Sequence, residues 1–297
     1  MSFSALFVTA ALTIGSVQAS EAKTLNAVAS MTVLADVVHV VGGDHVTVKS
    51  LVGPNGDPHV YEPTPDDARA LKAADVVFVS GEGLEGWMLR LIKASGYKGK
   101  INVASDGIET RKMDDDGKTV TDPHVWNDPK NGIVWARNIA KVLSAADPED
   151  AADFNANADK LVADLTALDA YTRKAISGIP EDKRKVLTTH DAFGYFGRAY
   201  GVTFLAPQGI STEAEASAAS VGKLIKQIRK EGVKVYFLEN SNDPRLVQQI
   251  AKETGAQSGG TLYVESLSTP EGPAPTYLKM LKSNIDALVA AMSKSGV

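Results

Sequence analysis

Five histidines, at positions 39, 45, 59, 124 and 190, are the imidazole metal-ligand candidates of this 297-residue chain, which has no cysteine. Without thiols there are no disulfides, thiolate metal sites or thiol nucleophiles. His39 sits beside the apolar face of a helical pattern and reads as an exposed helical side chain. His45 follows Gly42-Gly43-Asp44 and reads as a turn residue. The other three differ. His59 and His124 stand in the same tetrapeptide, Asp57-Pro58-His59-Val60 and Asp122-Pro123-His124-Val125. Proline fixes its own φ and biases the preceding residue toward extended backbone, so both rings project from stiff loops. The neighbouring Asp is a candidate acceptor for the second ring nitrogen, which would fix the tautomer. His190 follows an apolar run at 185–189, and Glu265 follows another at 261–264. An ionisable side chain at the carboxyl end of a parallel strand stands where open α/β sheets bind ligands. Taken singly, His190 also reads as a buried, hydrogen-bonded histidine and Glu265 as a solvated acid.

Taken together, three neutral imidazoles and one carboxylate suit Zn²⁺ in tetrahedral geometry, or Mn²⁺ or Fe²⁺ where the carboxylate binds through both oxygens. Two candidates lie in each half of the chain, which predicts an ion clamped between two lobes. A zinc hydrolase would use the same set differently, keeping a coordination position open for water and placing a general base beside it. Glu265 would close that position. Asp191, Glu213 and Glu215 are candidate bases, each with a simpler surface or supporting role. No GxSxG or phosphate-cradling loop supports other chemistry.

Short apolar runs alternating with helical patterns position these residues. Strands are expected at 25–30, 46–52, 76–80 and 101–104, and again at 185–189, 202–205, 235–238 and 261–264. Helices between them imply two lobes, each a parallel sheet flanked by helices. In residues 31–41, Leu34, Val37, Val38 and Val41 share one face. Thr64-Pro65-Asp66-Asp67 carries an N-cap, a first-position proline and an acid three residues on. The final helix, 276–292, repeats Leu278, Leu281, Ile285, Leu288 and Met292. From Pro148 to Ser177 no helix breaker occurs, and Phe154, Leu161, Leu165, Leu168 and Ile176 form a stripe. Thirty residues make a helix of about 45 Å, long enough to run across both lobes and to restrict hinge opening. The expected division is a 1–19 signal peptide, a 20–146 lobe, a 147–179 connecting helix and a 180–297 lobe.

In these residues the chain resembles the solute-binding proteins of bacterial zinc and manganese ABC importers, the cluster A-I (cluster 9) group. The blocks at 56–88, 122–143, 186–202, 211–228 and 238–256 carry the likeness, in order, over essentially the whole mature chain. The resemblance implies metal ligands at His59, His124 and His190, with Glu265 in Leu262-Tyr263-Val264-Glu265-Ser266-Leu267 at the fourth position, where the family usually has Asp. It also implies two similar lobes joined by a long helix. Dedicated zinc members carry a His-rich loop between the first two blocks. Here that stretch is Met113-Asp114-Asp115-Asp116-Gly117-Lys118, which is acidic, free of His and read as a solvated turn. Its composition favours a manganese or mixed manganese/zinc cargo, with Fe²⁺ within the same chemistry.

Composition is that of an ordinary globular chain. Apolar residues are 44% and charged residues 23%, ordinary for a globular chain, and a net charge of −5 offers no basic footprint for nucleic acid. Residues 3–14 are apolar but too short for a membrane span, and Val17-Gln18-Ala19 provides small residues for signal peptidase, although no Lys or Arg precedes the run. The expected protein is periplasmic, monomeric and not a lipoprotein, since no Cys is available. Its partners are the metal ion and a membrane permease with its cytoplasmic ATPase. It binds rather than catalyses. The alternatives are a zinc metalloenzyme or a surface adhesin.

Overall fold

The computed structural model describes residues 24–115, 117–209, 212 and 216–294. The expected signal peptide, 1–19, lies outside them, as do Glu213 and Glu215. The N-terminal lobe runs β1 (Leu25–Ala29), α1 (Thr32–Gly42), β2 (Val46–Ser50), α2 (Pro65–Ala73), β3 (Val76–Val79), α3 (Met88–Ser95) and β4 (Ile101–Val103). A hairpin, β5 (Lys112–Asp115) and β6 (Lys118–Thr121), follows, then α4 (Pro129–Ala146) and α5 (Ala151–Ser177). The C-terminal lobe runs β7 (Lys185–Leu187), α6 (Gly194–Tyr200), β8 (Thr203–Leu205), α7 (Ala218–Glu231), β9 (Val235–Glu239), α8 (Arg245–Thr254), β10 (Gln257–Leu262) and α9 (Tyr277–Lys294).

Both four-stranded sheets are parallel and share one topology. The first has the order β2-β1-β3-β4 and the second β8-β7-β9-β10. In each, the order turns back between the first strand and the third, which opens a crevice at the carboxyl ends of the strands. The two crevices face the same cleft.

Local sequence explains the helices. Leu34, Val37, Val38 and Val41 of α1 are fully buried, and Gly43 closes the helix at φ 55°, a left-handed angle suited to glycine. Thr64 and Asp67 form the expected capping box: Asp67 N–H donates to the threonine hydroxyl at 3.3 Å, and Thr64 N–H donates to Oδ2 of Asp67 at 2.8 Å. The acidic stretch near 114 is more than a turn, because Met113 and its neighbours pair across β5 and β6, with Met113 buried.

The connecting helix differs from expectation at its start. It begins at Ala151, not Pro148, because Asp147 ends α4 and its carboxylate accepts the Glu149 N–H in the intervening loop. Twenty-seven residues still span about 40 Å. Phe154, Leu161, Leu165, Leu168 and Ile176 are all buried, so the stripe is the face that packs. It meets α1 and α4 of one lobe and α6 and α9 of the other. His45 pairs with Asp150 and Asp153 at the start of α5, tying β2 to it.

One hydrophobic core runs through both lobes, from Leu34 and Phe78 to Leu262, Tyr277 and Leu288, with a smaller cluster beneath α7 and α8. Polar stitches cross the cleft beside it. Leu267 N–H donates to Oγ1 of Thr32 at 2.9 Å, and the indole of Trp126 donates to the Val264 carbonyl at 2.6 Å. Among the described residues, no helix is long and apolar enough to cross a membrane.

Candidate metal centre

The two Asp-Pro-His-Val segments fold alike. In the loop after β2, Oδ1 of Asp57 accepts the backbone N–H of His59 at 2.8 Å; in the loop after β6, Oδ1 of Asp122 accepts that of His124 at 3.0 Å. Each aspartate thus braces the turn that presents its histidine. Trp87 donates its indole N–H to the Pro58 carbonyl at 2.8 Å and holds the first loop down. The expectation that Asp also takes the second ring nitrogen holds for only one of the pair. Oδ1 of Asp122 lies 2.9 Å from Nδ1 of His124, whereas the Asp57 carboxylate accepts from Thr212 of the opposite lobe.

His190 lies three residues past β7, bridged to Gln208. Glu265 lies farther from its strand than the apolar run suggests. β10 ends at Leu262 after an irregularity between Ser258 and Thr261, and Tyr263 and Val264 continue outside the sheet. Asn284 clasps both backbone polar groups of Tyr263, and Trp126 and Asn240 hold those of Val264, so the glutamate is fixed without belonging to a strand.

These four side chains meet. Nε2 of His124 is 3.2 Å from Nε2 of His59 and 3.3 Å from Nε2 of His190. Oε2 of Glu265 is 2.9 Å from Nε2 of His59, and Oε1 is 3.5 Å from Nε2 of His190. One ligand atom from each residue fits within 4.8 Å of all the others. A tetrahedral ion with bonds of about 2.1 Å places its donors roughly 3.4 Å apart, so the spacing matches a single ion. The side chains of His124, His190 and Glu265 have no solvent exposure, and that of His59 has 6%. Oε2 of Glu265 is buried and has no hydrogen-bond partner, although it lies beside Nε2 of His59. His39 is exposed on α1 and His45 is half-buried at α5, both apart from this group.

The groups behind the ring set its electrostatics. Burial pushes His124 down, toward the neutral form a ligand needs, and the hydrogen bond to Asp122 only partly opposes this. Burial alone would raise Asp122, but His124 and the Arg111 guanidinium hold its carboxyl low. Burial would also lower His190, yet the Glu239 and Glu265 carboxylates outweigh it and push the imidazole up to about 10. Glu265 would rise by burial, but His59, His190 and His124 hold it down to about 2.

Glu239 and Arg111 went unrecognised at the sequence level. Glu239 ends β9, next to β7, and its buried carboxylate accepts from Nδ1 of His190 and from the backbone N–H groups of Thr189 and His190. A carboxylate at the end of a predicted strand was a usable signal, the same one that picks out His190 and Glu265. Arg111 gives no such sign, since only the hairpin brings it onto Asp122.

Comparison with known proteins agrees with this architecture. The metal ABC transporter substrate-binding lipoprotein SsaB of Streptococcus sanguinis is 32% identical over 282 residues, spanning 93% of this chain and 91% of its own length. The periplasmic zinc binding protein TroA from Treponema pallidum superposes with a TM-score of 0.85 at 29% identity, and the Mn-bound periplasmic metal binding protein from Candidatus Liberibacter asiaticus with 0.83 at 29%. Each structural match covers 91% of this chain and 100% of the other. Because SsaB is named as a lipoprotein, the comparisons give no support to the expectation that this chain is not one. A model of the family described as zinc-uptake complex component A, periplasmic, matches residues 27–291, and the chain belongs to that family.

Proposed function

We infer that His59, His124, His190 and Glu265 bind one divalent transition-metal ion, Mn²⁺ or Zn²⁺, with Fe²⁺ admitted by the same donors. The chain captures the ion in the periplasm as a monomer and delivers it to the permease of a metal ABC importer, whose cytoplasmic ATPase drives release. One observation carries this reading: four potential ligand atoms, two residues from each lobe, within 4.8 Å of one another at a buried point. The names of the relatives, which include zinc-binding and manganese-bound proteins, support the same class of cargo.

The job is binding. Glu265 occupies the position that a hydrolytic water would need, so the donors close the site around the ion. Neither the hydrolase nor the adhesin alternative gains an observation from the fold. Raw affinity does not select the cargo, because Zn²⁺ outranks Mn²⁺ at most nitrogen and oxygen sites. The test is metal analysis of the protein purified from its native compartment, together with growth of a deletion strain under separate zinc and manganese starvation. One bound ion per chain and a growth defect relieved by that metal are expected. Protein that takes up no divalent metal, or a deletion without any metal phenotype, refutes the reading.

A further inference from the structure

The His190 side of the centre holds a charge that no ligand accounts for. Glu239 is buried, with no side-chain exposure, at the carboxyl end of β9. β9 pairs with β7 at the point where the strand order of the second sheet turns back, so Glu239 stands beside His190 in the crevice where such sheets bind ligands. Its partners are Nδ1 of His190, the backbone N–H groups of Thr189 and His190, and Nδ2 of Asn242 at 2.6 Å. All are donors, and only the imidazole can carry a charge. Among the described residues, no Lys or Arg pairs with Glu239. His124 is backed differently, because its carboxylate, Asp122, is itself neutralised by Arg111.

The fully buried carboxylates at the centre are therefore of two kinds. Asp122 with Arg111 sums to zero, while Glu265 and Glu239 have, among the described residues, no cationic side chain other than the histidines. Once Nε2 of His190 gives its lone pair to an ion, the ring is neutral, and two fully buried negative charges remain for the ion to balance, with the partly buried Asp57 carboxylate behind His59 hydrogen-bonded to Thr212. An isolated buried charge is costly, so a site with two of them is matched to an ion of charge two.

We propose that Glu239 is a specificity-determining positioning residue. It holds the Nδ1 proton of His190, so that Nε2 is the nitrogen offered to the ion, and it supplies, without touching the ion, the second fully buried negative charge that makes the centre selective for divalent over monovalent cations. This rests on the metal-capture reading above.

The test compares wild type, Glu239→Gln and Glu239→Asp in the mature protein, by competition titration in chloride-free buffer. The probes are Zn²⁺, Mn²⁺ and, as a nitrogen-seeking monovalent ion, Ag⁺. Gln keeps the length and an acceptor oxygen but removes the charge. The expected result is a roughly 10–100-fold loss of Zn²⁺ and Mn²⁺ affinity in Glu239→Gln, the size typical of an outer-sphere partner. Coulomb energy is proportional to the ion's charge, so, with affinities measured over a pH series and corrected for the proton displaced from His190, the Ag⁺ loss on a logarithmic scale is about half as large. Glu239→Asp keeps the charge and holds the Zn²⁺-to-Ag⁺ affinity ratio within about threefold of wild type. Equal logarithmic losses for Ag⁺ and Zn²⁺ would mark Glu239 as a structural prop and overturn the proposal. So would wild-type divalent affinity in Glu239→Gln. If Glu239→Gln does not fold, Glu239→Asp decides alone, and a collapsed ratio refutes the idea. Wild-type protein that binds no divalent ion defeats the metal-capture reading itself, and this proposal with it.

Discussion

Metal uptake should expel a proton from His190 throughout the neutral range. The perturbation is pH. Glu239 and Glu265 push His190 up to about 10, so the metal-free ring is charged at pH 7.5. Glu265 is held down to about 2 and is a carboxylate at every working pH, so it contributes no proton. His124 is shifted down by burial, toward the neutral form. An ion needs the Nε2 lone pair of His190, so binding displaces one proton there, and the affinity rises about tenfold per pH unit below about pH 10. Between pH 6 and pH 8 that is roughly 100-fold, or about 2.7 kcal/mol at 1.36 kcal/mol per unit. An unperturbed imidazole, titrating near 6.5, would confine the loss to acid below about pH 6. Burial between two carboxylates extends it across neutrality. The assay is calorimetric titration with Zn²⁺ at pH 7.5 in buffers of different ionisation enthalpy, where the slope of apparent enthalpy counts protons released. About one from His190 is expected as the minimum. A slope of zero, or an affinity flat from pH 6 to pH 8, would refute the reasoning.

Four further outcomes follow from the same structure. Glu265→Ala removes the one carboxylate of the proposed ligand set and leaves Glu239 as the remaining uncompensated, fully buried charge, so Zn²⁺ affinity measured by chelator competition should fall by more than the roughly 100-fold upper bound for an outer-sphere loss; a smaller change would remove Glu265 from the ligand set. The metal-free fold should lose stability as pH rises from 6.5 toward 10, because the raised His190 stabilises fully below its unfolded value and stops doing so as it deprotonates, and also as pH falls from about 4.5 toward 2, where the depressed Glu265 takes up a proton; a thermal midpoint unchanged over both windows contradicts this. Leu165→Ala, at a fully buried position of α5, should cost about 2–5 kcal/mol in urea unfolding, and a cost below about 1 would show that the stripe is not packed. Metal-free and metal-loaded protein should give nearly superposable small-angle scattering curves, since α5 and a shared core bind both lobes; a large hinge rotation on loading would refute that stiffness.

Much of the fold was legible because its causes are local. The α1 and α5 stripes follow from spacing along one helix, and the Thr64 cap from residues three apart. The duplicated Asp-Pro-His-Val segment declared its backbone through proline alone. Local signals also set limits. Pro148 permits a helix start, but α4 runs on to Ala146 and the Asp147 carboxylate takes the Glu149 N–H, so α5 begins only at Ala151. The alternation of Met113–Val120 was too short and polar to read as a hairpin until the two strands paired.

The centre divides along the same line. Sequence alone determined which residue types were available, that cysteine was not among them, and that His59, His124, His190 and Glu265 stood at loop or strand ends where side chains can project. Only the tertiary structure decided that the four meet, that Glu239 rather than another acid backs His190, and that Arg111 neutralises Asp122. Which strand ends are neighbours depends on the order β8-β7-β9-β10 and on the lobes sharing one core. Those pairings join residues as distant as Leu267 and Thr32, 235 positions apart. Helix periodicity and turn chemistry act over three or four residues, and they carry no information about contacts at that range.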